Sequence, residues 1–176
     1  MKTPLLVLFA ATLAPAADMT VARLYDSQLK SVESEVVPLI KAMPADKMAF
    51  APSNGEFKGV RTFAQQAKHV AAVIYMVAAA ARQEQPPIVL GGENGPDTVK
   101  TKEDIVAFVQ GAFDYAHKAM NGLTAQNELE MVKSPFGGAD MARGGAAAIA
   151  VWHTMDHYGQ MVVYARMNGV IPPASR

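Results

Sequence analysis

Apolar residues recur at helical spacing in four stretches of the chain, and no stretch alternates convincingly over the length of a strand. From near Thr20, the positions Tyr25, Leu29, Val32, Val36, Leu39, Ile40 and Met43 fall on one stripe and predict a first helix with one buried face. Pro38 should kink this helix or end its regular part, because proline lacks a backbone donor and clashes with the preceding turn. A loop carrying Pro44, Pro52, Asn54, Gly55 and Gly59 follows. The second helix is expected from about Thr62 to about Arg82, with Thr62, Gln65, His69, Val73, Met76 and Ala80 on one face. The string QEQPPIVLGGENGPDTVK then breaks the pattern with paired prolines and glycines, as a long surface loop or lid would. Thr101 followed by Asp104 resembles a capping arrangement for a third helix, whose inward positions are Ile105, Val109, Ala112, Phe113, Ala116 and Met120. A polar, glycine-containing connection over about Asn121 to Gly145 leads to a fourth helix, Gly145 to Met167, stopped by Asn168-Gly169 and Pro172-Pro173.

Four helices of ~20 residues, each with one apolar stripe, bury those stripes most simply as a four-helix bundle, so the predicted fold is all-α with a single domain. Stretches of alanine at Ala78–Ala81 and Ala146–Ala150 favour helix and permit close packing. The connecting loops are long, and the pattern leaves the order of the helices around the bundle open. The first residues, MKTPLLVLFAATLAPAAD, read differently: Lys2, an apolar run from Leu5 to Leu13 and a small-residue Ala14-Pro15-Ala16 site have the layout of a secretory signal peptide. Cleavage after Ala16 would leave residues 17–176 as the mature domain in an extracytoplasmic location, periplasmic or secreted. The apolar run is shorter than the ~20 residues a spanning helix needs, and no later segment suits, so no stable membrane span is expected.

Composition narrows the chemistry. Sixteen Lys and Arg balance 16 Asp and Glu, which leaves no basic footprint for neutralising phosphates and makes nucleic acid a poor partner. The absence of cysteine excludes disulfides, thiolate metal ligands and a cysteine nucleophile, so a metal site must use histidine, carboxylate or carbonyl groups. Of the four histidines, His153 and His157 sit in WHTMDHYGQ. Residues four apart project from the same side of a helix with Cβ atoms ~5–6 Å apart, a spacing that suits two ligands on one ion. Ile149, Ala146, Ala150, Asp156, Gln160 and Tyr164 share that face, which is more polar than plain core. His69 lies on the inward face of the second helix, and a bundle could bring it to the pair; three imidazoles and a water would make a metal site with an open position. The same three histidines could instead be hydrogen-bonded core residues. His117 reads as a surface or boundary residue, and Tyr25, Met76 and Tyr164 as core. Position 154 is Thr, so HExxH and its glutamate base are missing. No GxSxG elbow, P-loop or dinucleotide fingerprint occurs, and the inner faces carry too few acids for a di-iron carboxylate site.

The segments WHTMDHYGQMVVYARMNGVIPPAS and FKGVRTFAQQAKHVAAVIY together resemble the DinB-like (DinB/YfiT) superfamily of metal-dependent four-helix-bundle proteins. One His on the second helix and an HxxxH followed by Gly-Gln on the last are matched by His69, His153, His157, Gly159 and Gln160. The resemblance covers nearly all the mature chain. It implies a divalent ion on the three histidines, zinc or nickel first, with iron, cobalt or manganese as alternatives, and it implies a homodimer. Characterised relatives include bacillithiol transferases and mycothiol-dependent isomerases, in which the metal activates a low-molecular-weight thiol. This chain departs from them at Asp156, where relatives commonly have a further His, and in its predicted export.

Two functional expectations follow. In the first, the chain is a mononuclear metal-dependent hydrolase or transferase acting on a small-molecule substrate, with Asp156 or Gln160 orienting a ligand imidazole or bound water. In the second, the histidine cluster only ties helices together, and the chain is a non-catalytic metal-binding or interaction module.

Overall fold

The computed structural model describes residues 18–176; the expected signal peptide, residues 1–16, lies outside the described residues. Four helices make the body: α1 (Val21–Ala42), α2 (Phe63–Arg82), α3 (Lys102–Asn121) and α4 (Arg143–Met167). The all-α four-helix bundle expected from the stripes is what forms. Among the described residues, no helix is long and apolar enough to cross a membrane.

Each helix starts where the chain supplies an acceptor for its unpaired N–H groups. Thr20, Thr62 and Thr101 cap α1, α2 and α3 by accepting from Arg23, Gln65 and Asp104. In α2 and α3 the third residue reaches back to the cap, closing a reciprocal capping box. Pro38 does not end α1, which runs on to Ala42. The ~3 kcal/mol cost of an internal proline is outweighed because Val36, Leu39 and Ile40 around it are fully buried, each contributing about 1.5–3 kcal/mol.

The packing settles the order that the loops left open. α2 packs against α3 and α4, and α1 packs against the same two helices, so α1 and α2 stand diagonally across the bundle although they are consecutive in sequence. A diagonal step cannot be made with a short turn, which explains the long connection between α1 and α2. The connection before α4 is more ordered than its polar composition suggests. It contains a two-residue antiparallel ladder, β1 (Met131–Val132) on β2 (Met141–Ala142), with Met131 opposite Ala142 and Val132 opposite Met141. This ladder delivers the chain straight into α4, which begins at Arg143 rather than Gly145. Gly144 makes that entry possible: a Cβ there would lie 3.0 Å from the Tyr25 hydroxyl and 3.2 Å from the Glu128 carbonyl oxygen.

The core is aliphatic and alanine-rich. Phe63, Ile74, Ile105, Phe113 and Met161 are among its fully buried large side chains, and Ala67, Ala71, Ala146 and Ala150 fill positions where larger groups would hold the helices apart. Small side chains on both α2 and α4 permit a close approach of the two helices that carry the histidines.

Candidate metal centre

α2 supplies His69, and α4 supplies His153 and His157 one turn apart. His69 and His157 are buried, and His153 is half-buried. The Nε2 atom of His153 lies 3.2 Å from Nε2 of His69 and 3.2 Å from Nε2 of His157. Thus the three rings that sequence spacing grouped together do meet, and each can offer one nitrogen to a common point. The three ring planes are steeply inclined to one another, at 60°, 65° and 80°, so the nitrogens converge without the rings stacking.

The surrounding hydrogen bonds decide which nitrogen of each ring carries a proton. Nδ1 of His69 sits 2.7 Å from the Glu93 carbonyl oxygen; a carbonyl only accepts, so this nitrogen donates and Nε2 keeps a lone pair. For His157 the proton's position is set through two amides. The Asp156 carboxylate accepts from Nε2 of Gln160 at 3.3 Å, and Oε1 of Gln160 accepts from Nε2 of Gln66 at 2.8 Å. Oε1 of Gln66 then faces Nδ1 of His157 and accepts from it. A carboxylate at one end therefore fixes both amide orientations and leaves Nε2 of His157 with a lone pair as well.

Two lone pairs consequently point at His153. A proton on Nε2 of His153 can satisfy one of them but not both, and it would leave Nδ1 of the same ring, which is buried and has no hydrogen-bond partner, as an unsatisfied acceptor. A single cation would be an acceptable partner for all three Nε2 atoms. Two imidazole nitrogens bound at ~2.0–2.1 Å to a tetrahedral ion are separated by ~3.3–3.4 Å, close to the observed 3.2 Å. The donor set and its spacing fit a divalent metal ion.

Electrostatics keep those lone pairs available. Burial lowers the pKa of His153 to about 4, helped by the neighbouring His69, and lowers His157 to about 4, helped by His153 and His69. His69 is lowered too, chiefly by burial, against the opposing pull of its bond to Glu93. All three are neutral at pH 7, the form that binds metals.

Other sequence-derived candidates fall elsewhere. Asp156 is exposed and Gln160 half-buried, and neither hydrogen-bonds a ligand imidazole directly; they act on His157 through Gln66. The helical face read from the sequence includes Gln65, which is exposed, and omits Gln66, which is buried. The capping box carries the missing signal, because a Gln at the third position after Thr62 is claimed by the helix start, leaving the next residue free to turn inward three positions before His69. The Glu93 contact depends on loop geometry that no periodicity encodes. Thr154, fully buried between the histidines in sequence, donates to the Ala150 carbonyl at 2.7 Å and offers no base. His117 is a boundary residue as expected, held on α3 between Asp26 at 2.6 Å and Glu33 at 3.0 Å of α1. Tyr164 is buried in the core, Tyr25 packs against it, and Met76 is only partly buried.

Comparison with known proteins agrees with this architecture. The family model described as the DinB superfamily matches residues 28–161. A crystal structure of a DinB-like protein from Bacillus cereus ATCC 10987 is similar with a TM-score of 0.67 at 15% identity, covering 85% of this chain and 93% of that one. A DinB-like protein from Bacillus subtilis, YjoA, gives 0.65 at 14% identity, covering 83% and 92%. No curated protein matches the chain.

Proposed function

The chain belongs to the DinB superfamily, and from that premise we propose that it binds one divalent ion through His69, His153 and His157 and uses it as a hydrolase or group transferase on a small molecule. The observation that carries this reading is the convergence of three Nε2 atoms of which two are committed, by their Nδ1 partners, to present lone pairs. When bound, such an ion supplies Lewis acidity and lowers the pKa of a coordinated water or thiol. The protein's own part is to hold the imidazoles neutral and oriented: Glu93 fixes one ring, and the Asp156–Gln160–Gln66 chain fixes another. Zinc and nickel are among the divalent ions that imidazole ligands suit.

Elemental mass spectrometry on the purified protein is the test. About one equivalent of metal, as the proposal requires, should be lost in each of His69→Ala, His153→Ala and His157→Ala while circular dichroism stays helical. Stoichiometric metal in all three variants would end the reading. One feature favours the non-catalytic alternative: no carboxylate of the described residues hydrogen-bonds the imidazoles, and Thr154 stands where a base would be. Metal-dependent turnover abolished by His153→Ala would exclude that alternative.

The proposal extends to assembly and location. Trp152, Met155, Val163 and Met167 are exposed at helical spacing on the outward side of α4, with Gly159 among them, an apolar row that a second copy of the chain would cover. Light scattering should give a dimer that Trp152→Lys dissociates; a monomeric native protein would refute it. Export predicts a mature N-terminus after Ala16, and N-terminal sequencing that found intact Met1 in an extracytoplasmic fraction would contradict it.

A further inference from the structure

A cavity of about 870 Å³ opens directly against His157, and its wall includes Arg61, Lys68, Asn94, Gln160 and, at an exposed position, Asp97. Lys30, Lys47, Arg82, Lys133 and Arg143 each pair with a carboxylate. Arg61 and Lys68 are half-buried yet form no ion pair with any described residue, although Asp97 lines the same cavity. Arg61 is also oriented: its Nε donates to Oδ1 of Asn94 at 3.2 Å, which fixes the plane of the guanidinium and leaves its two Nη groups as the fork that matches a carboxylate or phosphate. Asn94 follows Glu93, whose carbonyl anchors His69. One short piece of loop thus sets both the cation and a histidine of the centre.

We propose that this cavity is the substrate subsite and that Arg61 and Lys68 bind an anionic oxygen group, carboxylate or phosphate, of a small molecule whose reacting end faces the three histidines. The assignment of this anion to a substrate rests on the proposed metal-dependent function; the anion binding itself does not. With no carboxylate partner, both cations are available to an anionic ligand. A ligand bridging them to the histidines would exchange two charged hydrogen-bond networks with water for two with itself.

The test is calorimetric titration of malonate and of inorganic phosphate, at one fixed ionic strength, into zinc-loaded and metal-free protein, with Arg61→Gln and Lys68→Gln alongside. Saturable binding of one probe is expected, weakened roughly tenfold or more by Arg61→Gln, as loss of a charged hydrogen bond would give, with zinc content unchanged. The probe that binds names the group. Binding that neither variant weakens, or no saturable binding by either probe, would overturn the subsite. Should the protein take up no zinc, the metal reading fails by itself, and Arg61-dependent anion binding to the metal-free protein would still support the subsite.

Discussion

Gln66 gives the sharpest test of how the fold prepares the centre. Gln66 is 2% exposed and His157 8%, so neither regains a full hydrogen-bond complement from water without rearrangement when its partner is removed. Gln66→Leu keeps similar bulk but takes away the acceptor for Nδ1 of His157. A buried donor left unpaired costs about 1–3 kcal/mol. The ring can avoid that cost by moving its proton to Nε2, where His153 lies 3.2 Å away; that shift puts a proton where a cation needs a lone pair. Metal affinity should therefore fall ~10–100-fold, the usual penalty for losing the partner of a ligand histidine, or about 1.4–2.7 kcal/mol. Gln160→Leu should cost less, since Gln160 is half-buried and acts one step further out, and Asp156→Asn least, because Asp156 is exposed. Zinc affinity by competition with a chromophoric chelator is the readout. Thr62→Ala serves as the control: it removes the cap that Gln65 N–H uses and should cost about 0.5–2 kcal/mol of stability without altering zinc affinity. The reasoning is refuted if Gln66→Leu binds zinc as the native protein does, or if Thr62→Ala weakens zinc equally.

The histidine pKa values fix a pH dependence of the metal-free protein. Unfolded histidine titrates near 6.5, whereas His153 and His157 titrate at about 4 in the fold. Between those values the unfolded chain binds more protons than the native one, so stability must rise with pH across that window and fall as pH is lowered through it. Thermal unfolding of apo protein at pH 4, 5, 6 and 7 (about the range spanned by these values) should show the slope, and His153→Ala/His157→Ala should flatten it; an unchanged slope in the double variant would rule out these groups as its source. Gly111 lies inside α3, where alanine would ordinarily add about 0.5–1 kcal/mol. A Cβ there would meet the Tyr75 hydroxyl at 2.6 Å, and the Tyr75 ring is held by Phe108 and Tyr115 at 5.6 and 5.7 Å. Overpacking of about 1–3 kcal/mol should win, lowering the denaturant midpoint of Gly111→Ala; a raised midpoint would show that the tyrosine yields.

What was legible in the sequence was whatever short-range spacing dictates. Helical periodicity placed α3's inward residues Ile105, Val109, Ala112, Phe113, Ala116 and Met120, and all six are buried. The four-residue step from His153 to His157 put both rings on one side of α4, because neighbouring turns of a helix stack side chains at that interval. The Thr101–Asp104 cap was equally visible, being a local hydrogen bond between residues three apart. That α1 runs past Pro38 was not legible, since the proline's local cost is fixed by covalent geometry while the burial that outweighs it belongs to the whole bundle.

Tertiary structure alone decided the rest. That α1 and α2 stand diagonally, that His69 comes within 3.2 Å of His153, and that Glu93 anchors it from a loop are contacts between residues distant in the chain. Hydrophobic patterning says which face of a helix is buried but not against which neighbour, because apolar burial has no direction. The same limit hid Gln66. Its inward turn is set by Gln65 serving the helix start, but its purpose exists only when α4 brings Gln160 and His157 to meet it.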